Sequence, residues 1–203
     1  NDASATGVGT IDSTYQVNST AGFSIVQYTG TGSNGTIKHG LSSAPDWILF
    51  KNLDNGSEGW SNYHKGMTSA AYIMTTNNSN AEASSATDFN STAPTSTVFS
   101  VGTNARTNNS SQDIVAYCWH SVDGFSKFGK YTGNANTNGP FVYTGFKPAF
   151  VMVKNASVSG TWVIWDNKRT PINPMGTALR GDTTAADTTG YDIDFLSSGF
   201  KIR

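Results

Sequence analysis

The amino-acid sequence predicts an all-β fold, an antiparallel β-sandwich of jelly-roll-like packing built from two diverged sequence repeats. Three observations predict it. Apolar stretches are short and either alternate with period two or are wholly apolar; Gly, Asn, Ser and Thr clusters separate them; and one series of motifs occurs twice along the 203 residues. No window keeps a 3.6-residue apolar period, and Gly or β-branched residues interrupt every stretch long enough for a helix.

The repeat is read from matched motifs. Gly22-Phe23-Ser24 with Tyr28-Thr29-Gly30 recurs as Gly124-Phe125-Ser126 with Tyr131-Thr132-Gly133. The run from Pro45 to Asn52 matches the run from Pro148 to Asn155, and Trp60 with Tyr63 matches Trp162 with Trp165, each pairing 102 or 103 residues apart. Phe99 then corresponds to Phe200. Bulk persists at Phe23/Phe125, Phe50/Val153 and Trp60/Trp162 while the intervening loops diverge, so these positions are expected in the core.

Residues 1–21 read as a soft linker and leading strand, 22–111 as the first β repeat and 112–203 as the second, the two packed as one body. The opening lacks an initiator Met, a basic flank and an apolar core, so a processed product or fragment is expected rather than a signal peptide. Strands of the first repeat are expected at 23–28, 47–52, 60–64, 71–75 and 98–101. The glycine cluster from Gly30 to Gly35 lacks the Lys of a phosphate loop and reads as a hairpin loop. Residues 113–122 make a strong linking strand that buries Cys118, the sole cysteine, as a small hydrophobe. Second-repeat strands follow at 125–131, 140–144, 150–154, 162–165 and 192–196. The first repeat is followed by the 113–122 strand, and the second has no counterpart before Arg203. Either the natural chain continues, or the strand belongs at the front of each repeat, with Thr14 to Val17 in that place for the first.

Composition and motifs point away from catalysis. A net charge of −1 with only 13% charged residues provides no electrostatic footprint for nucleic acid or an anionic membrane, and no apolar run approaches the about 20 residues of a membrane helix. Glu58 and Glu82, the only glutamates, fall in polar loop sequence without apolar flanks, which disfavours a glycosidase. His39, His64 and His120 lack a second ligand at metal spacing and read as hydrogen-bonding positions, so no metal, cofactor or catalytic residue is assigned. Asp192 and Asp194 alternate along one strand and are expected on its solvent face, with a calcium pair as the sharper alternative. If the chain binds glycans, Tyr63 and Trp165 are the expected stacking rings, with neighbouring Asn and Asp on the hydroxyls.

The stretch from Ala116-Tyr117-Cys118-Trp119-His120 through Gly124-Phe125-Ser126 and Tyr131-Thr132-Gly133-Asn134 to Gly139-Pro140-Phe141 and Lys147-Pro148 resembles a family of domains of unknown function. That family occurs in structural and fibre-like proteins of tailed bacteriophages, marine ones especially. The run Asp192 to Lys201 resembles its closing motif, and the likeness extends from about Ser13 onward. The resemblance implies a non-enzymatic virion module of a tail fibre, head fibre or capsid-decorating protein, at the virion surface. Its implied partners are other virion proteins and further copies of itself in a homo-oligomer such as a trimer; a host surface glycan is the partner expected if Tyr63 and Trp165 stack on sugars. It transfers no catalytic residue.

Overall fold

A computed structural model describes residues 3–203. Its first sheet has eight antiparallel strands in the order β1 (Ala3–Ser4), β2 (Ser13–Asn18), β3 (Phe23–Thr29), β10 (Asp113–Trp119), β5 (Trp47–Asn52), β6 (Ser61–His64), β7 (Tyr72–Thr75) and β8 (Ala83–Ser84). Period-two alternation decides which face is covered. Ser24, Val26 and Tyr28 of β3, Ile48, Phe50 and Asn52 of β5, and Ile114, Ala116 and Cys118 of β10 all point inward and are buried. A two-stranded ribbon of β4 (Gly35–Lys38) and β9 (Val98–Val101) lies over them, contributing Ile37, Phe99 and Val101 to the same core. This gives the sandwich that the alternation predicts.

Two buried amides, Asn52 and Asn108, are met by partners, as burial requires. Asn52 donates from Nδ2 to Ala105 O (2.9 Å) and Gln112 Oε1 (2.8 Å), and its Oδ1 accepts from Asp54 N and Asn55 N. Asn108 ends the single-turn helix α1 (Ala105–Asn108) and holds the glycine loop, donating to Ser33 O and Gly102 O while accepting from Thr31 N. A Cβ on Gly30 would stand 2.2 Å from Asn109 O, so the loop lies too close to that backbone for any side chain. The cluster is a loop as far as Asn34, where Gly35 opens β4, but it closes no hairpin, because β4 pairs with β9 and β3 with β2 and β10.

The second sheet has six antiparallel strands in the order β11 (Phe141–Tyr143), β16 (Gly199–Ile202), β15 (Thr188–Leu196), β14 (Met175–Arg180), β13 (Val163–Asp166) and β12 (Phe150–Val153). Val151, Val163, Trp165, Met175, Ala178, Ile193, Phe195 and Phe200 form its own core. The connection between β12 and β13 docks on the first half. Trp162 is 5% exposed, belongs to the first core and donates from Nε1 to Thr75 O (3.0 Å), while Gly160 N donates to Ser79 O and Glu82 N to Ala156 O.

Strand registers recur between the halves. Trp47 opposite His64 and Phe50 opposite Ser61 in β5–β6 have the same arrangement as Phe150 opposite Asp166 and Val153 opposite Val163 in β12–β13. Ile37 faces Phe99 in β4–β9 as Val142 faces Phe200 in β11–β16. Tyr72 faces Ser84 in β7–β8 as Thr177 faces Thr189 in β14–β15.

Three expectations are corrected. Residues 125–131 form no strand: after a bridge between Val122 and Ser126 the segment is irregular, and Phe125 is 62% exposed. The strand beside it in sequence is β10, whose two edges are already taken by β3 and β5, so no hairpin partner remains. Strand β14 arises in a stretch that reads as variable polar sequence. Finally, β2 pairs with β3 along its length, yet the strand between β3 and β5 is β10, so the first half fills both positions that the sequence offers as alternatives.

Candidate functional site

Part of the outward face of the eight-stranded sheet carries a run of aromatics. Because inward and outward residues alternate, burying Ile114, Ala116 and Cys118 forces Tyr117 and Trp119 to the other side of β10. Trp119 lies directly opposite Phe23 on one neighbour and Trp47 on the other. Its ring stacks on both, with centroids 5.1 Å from Phe23 and 4.5 Å from Trp47. Phe128, carried back over the sheet by the segment after β10, extends the row at 6.0 Å from Trp47, and Trp60 stands 6.3 Å from Tyr117. All six rings are half-buried, with one surface covered by a neighbour and the remainder facing solvent.

Polar groups fix this row. Trp47 donates from Nε1 to Asn62 Oδ1 (2.9 Å), and Asn62 Nδ2 donates to Thr76 Oγ1 (2.6 Å). Asn77 Oδ1 accepts from Trp60 N (3.0 Å). Beside Trp60 a shallow cleft of about 340 Å³ is lined by Leu49, Trp60, Thr76, Asn77 and Gly181, so it lies where the two halves meet. Rings packed edge by edge beside amide and hydroxyl groups make a surface for stacking and hydrogen bonding.

The titratable groups elsewhere are engaged in structure. Burial lowers the pKa of His39, whose Nδ1 accepts from Leu41 N and whose Nε2 meets Thr95 O, so the neutral ring joins two loops. Burial likewise lowers His64, whose Nδ1 accepts from Gly66 N. Cys118 is fully buried, and desolvation pushes its thiol far above the ordinary range. Glu82 accepts from Thr68 N (3.0 Å). Among the described residues no group of three or more His, Cys, Asp or Glu stands together for a metal ion.

The family model described as "Domain of unknown function (DUF7483)" matches residues 1–203. The chain belongs to the DUF7483 family. No curated protein and no solved structure matches it.

This DUF7483 chain places the expected site residues differently from the sequence reading. Tyr63 is 7% exposed and Trp165 is 4% exposed, so neither ring is open to a sugar. Tyr63 packs edge-on to Phe89, and Trp165 donates from Nε1 to Tyr191 O. Trp60, expected in the core beside its counterpart Trp162, is instead half-buried on the aromatic face, because it precedes β6 at the sheet surface. Asp194 is also misplaced by the sequence reading: it is buried, and its Oδ2 accepts from Arg203 Nε (2.7 Å), whereas Asp192 stays exposed. The signal that finds the aromatic face lies in β10 itself, where small apolar residues alternate with Tyr and Trp.

Proposed function

We propose that this chain is a non-enzymatic structural module that acts through its surface, as a part of a phage tail fibre, head fibre or capsid-decorating protein serving assembly and host-surface adhesion. The observation that carries this reading is the aromatic row Phe23, Trp119, Trp47 and Phe128 on the open face of a broad sheet. The rings are half-buried and keep a solvent-facing remainder in one contiguous row, and aromatic residues are enriched at protein interfaces. The phage setting rests on the motif resemblance between Ala116 and Pro148. The recurring strand registers support the companion reading that the two halves are diverged copies of one unit.

The test is to raise antibodies against the chain, map them on purified particles of the source phage, and determine the oligomeric state of the purified protein. Labelled particles and a homo-oligomer are expected. A stable monomer absent from particles overturns the assignment.

A second reading, a carbohydrate-binding module, is favoured by one specific feature: the cleft at Trp60 sets Thr76 and Asn77 beside a half-buried indole. Titration against a glycan panel is expected to give binding that Trp60→Ala or Trp119→Ala abolishes. Binding insensitive to both substitutions removes this face as the glycan site.

A further inference from the structure

The first half completes its sheet with β10, and among the described residues the second half has no strand in the equivalent place. Strand β5 is paired on one edge by β6 and on the other by β10, from Asn52 opposite Ile114 to Trp47 opposite Trp119. Strand β12, in the same register with β13, ends its sheet, and no strand among the described residues occupies its other edge. The end strands β1 and β8 of the first sheet are two residues long, which leaves little edge to pair, whereas β12 has four residues.

Side chains mark the same vacancy. In the first half Trp119 fills the space between Phe23 and Trp47, and both rings are half-buried. Their counterparts Phe125 and Phe150 are 62% and 59% exposed. On the inward side Val153 is only partly buried where its counterpart Phe50 is fully buried. Of the twelve large hydrophobic side chains exposed among the described residues, eight lie beyond residue 120. Among the described residues the second half is therefore the one with an uncovered sheet edge.

We propose that the free edge of β12 accepts an extended strand with the pattern of β10: small apolar residues inward beside Val151 and Val153, and an aromatic residue outward beside Phe150. The inference rests on the reading that the halves are equivalent. Main-chain hydrogen bonds to β12 supply affinity, and the alternate side chains supply selectivity. The strand continues the six-stranded sheet as its seventh member. A second copy of the chain is not the occupant, because its own β10 is held on both edges by β3 and β5.

The test titrates the full chain with a fluorescent peptide carrying the sequence of residues 112–121, with Cys118→Ser for solubility, and follows anisotropy and hydrogen exchange. Saturable binding is expected, with exchange slowed at residues 150–153. Phe150→Ala, at an exposed position that leaves folding intact, is expected to weaken binding by about tenfold or more, as is a peptide with Trp119→Gly. No saturable binding overturns the proposal. So does protection at β1, β8 or β11 in place of β12, or self-association of the chain through residues 150–153 without peptide. The equivalence of the halves is judged separately by a chimera in which residues 150–155 take the sequence of 47–52: its folding upholds the equivalence even where the peptide fails.

Discussion

Asp46 ties three segments together at one carboxylate. Burial raises its pKa, but hydrogen bonds from Ser121 Oγ (2.6 Å) and Ser121 N (2.7 Å), with Lys65 Nζ at 2.9 Å, outweigh burial and hold it below the ordinary 3.8. A carboxyl with a lowered folded pKa stabilises the fold above its unfolded value and loses that contribution as pH falls through the folded value. Asp46→Asn is therefore expected to lower Tm at pH 7, and the difference from the native chain is expected to close at about pH 2. Thermal melts across that range check it, and a constant difference at every pH contradicts it. At this scale sequence reading fared worst with aromatics. Trp119 lies in a strand with apolar residues on both faces, where the period does not say which one is covered, and Tyr63 stands among polar Ser61, Asn62 and His64. The cover is the ribbon β4–β9, which comes from distant sequence.

Elements were legible in proportion to their independence from distant partners. Strands β3 and β5 bury every second residue, β10 is apolar from Ile114 to Trp119, and each forms at the predicted place. Strand β14 lacks such a pattern, with Gly176 and Thr177 between its buried Met175 and Ala178, and it exists because β13 and β15 hold its edges. Residues 125–131 fail in the opposite sense, since their pattern is adequate and their partner is taken. Strand β10 bears the largest consequence, as the one strand between β3 and β5. Ala116 is fully buried directly opposite Val26 and Phe50. Ala116→Leu adds volume where the sheet and ribbon leave none, and is expected to cost about 1–3 kcal/mol through overpacking. Urea denaturation measures it, and an unchanged midpoint shows that the core there has room.

The whole molecule is two hydrophobic cores with one tryptophan reaching across. Trp162 follows the connection that leaves β12, yet its ring packs in the first core and its Nε1–H is received by Thr75 O. The sequence offered Trp162 as a core residue but not as a residue of the other half's core, because a matched pair of motifs implies matched surroundings. Removing that ring strips the first core of a large buried surface and the second half of its principal anchor on the first. Trp162→Ala is expected to cost about 3–5 kcal/mol and to divide unfolding into two calorimetric transitions. The native chain is expected to unfold in one, since a buried side chain shared by both cores couples their melting. The lower transition of the variant is expected to belong to the second half, which has the smaller buried cluster and the exposed Phe125 and Phe150. Hydrogen exchange just above that transition should find β12 to β16 unprotected while β3, β5 and β10 remain protected. One sharp transition in the variant, with all strands exchanging together, places the coupling elsewhere in the contact between the halves.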